Sequence, residues 1–200
     1  MFSAVMFDLG NVLVDWSPRD FFIENGYAPS QADELLTGPV SLAWHSRSDA
    51  GLPMAENVRQ RILEYPDHEP ALTLYLERWQ ETIRGPIDGS VACLEALAQQ
   101  GVPLYAVTNF PADPYPTFFA RFEFMTLFRD VLVSGDVGLK KPDPRIFALA
   151  ADRFNVAPGR TLFIDDRREN CDAAAALGFQ CHHFTTPSRL RDHLTEARLI

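Results

Sequence analysis

Asp8 closes a short apolar run, Ala4-Val5-Met6-Phe7, and is followed directly by Leu9-Gly10-Asn11-Val12. A carboxylate carried by a buried strand into a turn stands where a nucleophile would stand. A second apolar run, Thr161-Leu162-Phe163-Ile164, ends in the same way on Asp165-Asp166. Three carboxylates at two strand ends repel one another unless a cation joins them, and hard divalent cations take oxygen ligands. The pattern predicts an enzyme that uses magnesium.

Elements that could position these groups are visible along the chain. Four runs, at 3–7, 103–107, 130–134 and 161–164, are continuous rather than alternating in apolar character, as in parallel strands buried on both faces. Helical spacing covers 91–100, closed by Gly101, then 144–154, and then 169–177, closed by Gly178. Strand and helix alternate, so the expected fold is α/β, a doubly wound parallel sheet that binds ligands at the carboxyl ends of its strands.

Residues 16–86 break the alternation. They lack a convincing strand, carry helical spacing at Leu72, Tyr75, Leu76 and Trp79, and are flanked by the breakers Trp16-Ser17-Pro18 and Arg84-Gly85-Pro86. The expected organisation is a core of 1–15 and 87–200 with a small inserted helical cap of 16–86, read as a lid over the first strand end. The aromatic-rich segment 110–128 reads as a packed loop and helix.

Composition narrows the function classes. Two hundred residues at 46% hydrophobic content supply one sizeable core, or a core and a small insert. A formal charge of -9, from 27 acidic against 18 basic residues, argues against a nucleic-acid surface. Cys93, Cys171 and Cys181 have spacings of neither a metal knuckle nor a disulfide framework, so three reduced thiols in a cytoplasmic protein are expected. Neither a signal peptide nor a membrane anchor is expected, because Asp8 interrupts the one apolar stretch near the N-terminus.

Four segments in order resemble the motifs of the haloacid dehalogenase superfamily: Phe-Asp-Leu-Gly-Asn-Val at 7–12, Val-Thr-Asn at 107–109, Lys141-Pro142-Asp143-Pro144, and Ile-Asp-Asp at 164–166 followed by Asn170. Within it the chain resembles small-cap phosphatases, including sugar-phosphate phosphatases of the glucose-1-phosphate type. The resemblance implies hydrolysis of a small phosphorylated metabolite, with a sugar phosphate as the expected substrate. Asp8 would form an aspartyl-phosphate, splitting one hard displacement into two easier ones. Thr108 and Asn109 would donate hydrogen bonds to the phosphoryl oxygens, and Lys141 would offset charge on that group and on Asp8. Magnesium would be held by Asp8, Asp166 and the backbone carbonyl of Gly10, with Asp165 and Asn170 ordering the surrounding shell. In the cap, Trp44, His45, Arg47 and Asp49 are the expected specificity residues.

Gly10 departs from the family pattern, which carries an acid–base aspartate there. Loss of such a group typically forfeits about 10² to 10⁴ in rate. Asp15 and His45 are the candidate substitutes. The same gap keeps two other readings open: a dehalogenase that attacks carbon, and a catalytically weak protein that binds a phosphorylated ligand. Monomer and homodimer are equally compatible with the sequence.

Overall fold

Among residues 2–200, which the computed structural model describes, the strands are β1 (Ala4–Phe7), β2 (Val14–Trp16), β3 (Ile83–Pro86), β4 (Leu104–Thr108), β5 (Asp130–Val133), β6 (Thr161–Asp165) and β7 (Gln180–His183). Five of them form one parallel sheet in the order β5-β4-β1-β6-β7, while β2 and β3 pair antiparallel in a separate ribbon. Between β2 and β3 lie α1 (Pro18–Glu24), α2 (Pro29–Thr37), α3 (Leu42–Asp49), α4 (Met54–Glu64) and α5 (Glu69–Glu77). Alternating with the large sheet are α6 (Asp88–Gln99), α7 (Tyr115–Arg121), α8 (Ser134–Val137), α9 (Pro144–Phe154), α10 (Arg168–Ala176) and α11 (Pro187–Glu196).

The central strand shows why the apolar runs are continuous. Val5 and Phe7 face one apolar cluster with Leu94 and Leu97 of α6 and Leu190 and Leu194 of α11. Ala4 and Met6 face the opposite cluster, with Ile146, Phe147 and Ala150 of α9. A strand covered on both sides needs hydrocarbon at every position. Helix α9 begins where the sequence directs, with Pro144 in its first turn and the Asp143 side chain accepting from Arg145 N at 2.9 Å.

Register then delivers the acidic residues together. Phe7 lies opposite Ile164, so Asp8 and Asp165 sit at one level on adjacent strands, tied by Asp8 N donating to Ile164 O at 2.8 Å. On the other flank Phe7 lies opposite Ala106, which puts Thr108 at the carboxyl end of β4.

The helical insert is organised by aromatic packing, with Phe21, Phe22 and Tyr75 fully buried and Phe22 stacked on Tyr75 at 6.0 Å. The expected spacing divides, because α5 carries Leu72, Tyr75 and Leu76 while Trp79 belongs to the 3₁₀ turn that follows. Segment 110–128 forms α7 and a 3₁₀ turn over Glu123–Leu127, with Phe110, Phe118, Phe122 and Phe124 buried, in line with the packed loop and helix expected.

Three features depart from the sequence reading. The ends of the insert are paired strands, with Val14 opposite Pro86 and Asp15 opposite Gly85, although Gly85 and Pro86 read as breakers. A two-stranded edge tolerates a proline that a central strand would not. Strand β7 has the sequence Gln-Cys-His-His and only partial burial, which leaves no apolar run to detect. Finally, Cys171 and Cys181 are disulfide-bonded with Cα atoms 5.5 Å apart, which corrects the expectation of three reduced thiols; Cys93 alone is free and buried. The chain turns back at Gly178, where φ is +92°, and so brings α10 against β7. A ten-residue spacing carries no trace of that reversal. No helix among the described residues is long and apolar enough to cross a membrane.

Candidate active site

Asp8, Asp165 and Asp166 converge at the carboxyl ends of β1 and β6, with one ligand atom from each within 4.8 Å of the others. Lys141, only 2% exposed, enters between them from the loop before α9. Its Nζ lies 2.7 Å from Asp165 Oδ2 and 2.9 Å from Asp8 Oδ1. Burial pulls the Lys141 ammonium down, but Asp165 and Asp8 outweigh it and hold the group above its ordinary value.

The three carboxylates differ in what they have left to offer. Asp165 is used up internally. Besides Lys141, it accepts from Asn170 Nδ2 at 2.9 and 3.1 Å and from Arg167 N at 2.8 Å. Asp8 accepts from Leu9 N at 2.7 Å and from Lys141, and both contacts fall on Oδ1, which leaves Oδ2 facing the site. Burial pushes the Asp8 carboxyl up to about 7, Lys141 opposes the rise, and Asp165 and Asp166 add to it. Asp166, half-buried, is raised by the same two causes, burial first and then Asp165. Two carboxyls held above their usual range beside a single shared lysine form a donor set that a divalent cation would relieve, so these residues fit magnesium.

On the other flank Thr108 is buried at the end of β4. Asn109 lines the cavity beside it. Its Nδ2 donates to Lys141 O at 2.9 Å and its Oδ1 accepts from Lys141 N at 2.8 Å, so its side chain clamps the lysine backbone and leaves its own backbone N–H as the donor at the strand end.

These groups open into a cavity of about 570 Å³ that also reaches α3 and the ribbon. Gly10 lines it, and a Cβ built there meets no atom within 4 Å. Of the four expected cap residues, His45 and Asp49 line the cavity, whereas Trp44 and Arg47 do not. Trp44 is buried and donates from Nε1 to Asn57 O at 3.3 Å, and Arg47 donates to Gln60 Oε1 of α4. Lys140, Arg167 and Asn11 also line the cavity. From sequence Lys140 reads as a solvated neighbour of Lys141, and Asn11 and Arg167 are ordinary polar residues in or beside a motif.

The two candidate acids fare differently from what the sequence suggests. Asp15 is absent from the cavity wall and lies half-exposed, 3.9 Å from Arg84. His45 is in the wall, but burial lowers its imidazole to about 4, so it is neutral at physiological pH. Its Nδ1 meets Tyr75 Oη at 3.1 Å and its Nε2 lies 3.6 Å from Asp49 Oδ1. Burial raises the Asp49 carboxyl to about 7, with Lys140 and Lys141 working against the rise.

Comparison with known proteins agrees with this geometry. A family model described as haloacid dehalogenase-like hydrolase matches residues 2–178. A sesquiterpene phosphatase of Aspergillus oryzae is 25% identical over 186 residues, 92% of this chain and 90% of that protein. An N-acetylmuramic acid 6-phosphate phosphatase of Pseudomonas aeruginosa is 27% identical over 179 residues, 88% of this chain and 78% of that protein. Among solved structures, a HAD family enzyme of Bacteroides thetaiotaomicron in complex with magnesium and inorganic phosphate superposes with a TM-score of 0.72. It shares 20% sequence identity, and the match covers 93% of this chain and 96% of that one.

Proposed function

Because this chain belongs to the haloacid dehalogenase-like hydrolases, we propose that it is a magnesium-dependent phosphatase that hydrolyses a small phosphomonoester through a phospho-Asp8 intermediate. The observation that carries this reading is the Lys141 bridge between Asp8 and Asp165, set at adjacent strand ends beside Asp166 and open to one cavity. That both relatives described above are phosphatases supports it.

Asp8 Oδ2 attacks phosphorus and the ester P–O bond breaks. Water then attacks the phosphorus of the aspartyl-phosphate, releasing inorganic phosphate and restoring Asp8. Lys141 holds Oδ1, which aims the other oxygen, and its charge opposes the negative charge gathering on the phosphoryl group. Asp165 and Asn170 hold Lys141 and the loop after β6 in place. Thr108 and the backbone at Asn109 receive the phosphoryl oxygens. Asp8, Asp166 and the Gly10 carbonyl would hold magnesium, which when bound supplies positive charge to the phosphoryl oxygens. The helices between β2 and β3 serve as a cap that keeps bulk water from the reacting atoms.

With no side chain at Gly10, the proton for the leaving oxygen comes from elsewhere. Asp49 is the titratable cavity group whose raised value, about 7, suits a group that both donates and accepts near neutrality.

Phosphate release from p-nitrophenyl phosphate, with and without magnesium, tests the reading. Turnover should need magnesium and fall by at least about 10³-fold in Asp8→Asn, as the loss of a covalent nucleophile requires. Equal turnover by that variant would remove Asp8 from the mechanism, and halide release in the presence of chelator would move the assignment to carbon–halogen hydrolysis.

A further inference from the structure

We propose that the leaving group taken by this site is mainly hydrocarbon or aromatic, so that the substrate is an apolar phosphomonoester and not the sugar phosphate expected from the sequence. The proposal rests on the phosphatase reading and narrows it.

Away from the carboxylates, the cavity wall is built from Val14, Trp16, Leu42, Trp79, Ile83 and Phe110. Trp79 and Phe110 meet edge to face at 4.9 Å, and His45 stacks on Trp79 at 6.0 Å, so much of the wall is a packed aromatic surface. Leu42, 48% exposed, extends the apolar lining outward. A volume of about 570 Å³ is ample for a leaving group of ten or more carbon atoms.

Several polar atoms beside this wall are already occupied. Trp16 Nε1 donates to Thr82 Oγ1 at 3.1 Å, and Thr82 donates in turn to Trp79 O at 2.7 Å. Ser46 donates to Ala43 O at 3.1 Å and accepts from Lys140 Nζ at 3.0 Å. Asn11 Oδ1 accepts from Trp16 N at 3.1 Å, and His45 Nδ1 is engaged by Tyr75. Asp49 Oδ1 and Trp79 Nε1 are buried without partners, and Lys140 and Arg167 supply the charged part of the lining. A hexose brings several hydroxyls, and each one buried without a partner weakens binding on the order of tenfold to a hundredfold. The same wall returns affinity for every methylene removed from water.

The test is kcat/KM, with magnesium, across a series of n-alkyl phosphates from ethyl to octyl, set against glucose 6-phosphate, with p-nitrophenyl phosphate as the control for phosphatase action. Up to about fourfold gain per added methylene is expected until the cavity is full. Hexyl phosphate should exceed glucose 6-phosphate by at least about 10²-fold, the penalty of one or more unpaired hydroxyls. A flat series, or glucose 6-phosphate at parity with hexyl phosphate, overturns the proposal while leaving the phosphatase intact. Absence of turnover on every ester, the control included, overturns the phosphatase reading and the proposal with it. Leu42→Asn, at a half-exposed position that should tolerate the change, is expected to reduce the gain per methylene for the longer esters. An unchanged slope in that variant would remove the cavity wall as the source of selectivity.

Discussion

Placing a carboxyl at position 10 should raise turnover, and the structure says by what route. Gly10 lines the cavity two residues after Asp8, an added Cβ there meets nothing within 4 Å, and its φ lies outside the left-handed region. Gly10→Asp therefore needs no backbone change, and the narrower unfolded ensemble contributes about 0.4 to 1 kcal/mol to stability. The introduced carboxyl joins Asp8 and Asp166. One like charge within about 7 Å at an effective dielectric of about 20 opposes its ionisation by about 2.4 kcal/mol. That repulsion raises the introduced carboxyl towards the range useful for proton transfer, with Lys141 opposing the rise.

An acid so placed is worth about 10²-fold or more. The gain should appear as kcat on an alkyl ester such as hexyl phosphate, whose alkoxide needs a proton to depart. On p-nitrophenyl phosphate, whose leaving group departs unprotonated, kcat should change by less than about threefold. Steady-state kinetics on the two esters, with thermal unfolding to confirm the fold, decides it. If a well-folded variant gains nothing on the alkyl ester, or gains equally on both, then position 10 is not where proton transfer is lacking.

Two further outcomes follow from the buried charges. Lys141→Met leaves Asp8 and Asp165 without their shared cation, and denaturant unfolding at pH 8 in chelator should show a loss of about 3 to 5 kcal/mol; a loss under about 1 kcal/mol would contradict the buried bridge. Asp49→Asn should stabilise the protein at high pH. The folded carboxyl titrates near 7 against 3.8 unfolded, so the native state is penalised as pH rises through that window, with about 4 kcal/mol as the upper figure at pH 8 and no difference near pH 4. Unfolding of both proteins from pH 4 to 8 checks this, and a gap independent of pH would exclude a buried titrating carboxyl. The same variant should also turn over alkyl esters more slowly.

The sequence carries the large sheet clearly because four of its five strands are built on continuous, non-alternating apolar runs, a pattern that needs cover on both faces. It carries Asp8, Lys141, Asp165 and Asp166 because each sits at a strand end or beside a proline punctuating a loop. What escapes it are relations between distant side chains. That the Asn109 side chain also holds the Lys141 main chain is invisible until the two loops fold together. Trp44, His45, Arg47 and Asp49 share one helix, and only packing against Tyr75, Asn57 and Gln60 decides which two reach the cavity. The Asp49 carboxyl shows its unusual titration only when its depth is known. The Cys171–Cys181 bond depends on a reversal at Gly178 whose partner strand has no apolar signature.

The two-way clasp between Asn109 and the main chain of Lys141 means that the cation is not left to a free-standing loop. Whatever shifts the tip of β4 drags the ammonium with it. A change at residue 109 would thus imitate damage to the lysine itself, although the amide makes no hydrogen bond to Asp8. Mutational surveys that score this asparagine only by its contact with the reacting group would miss half of what it does.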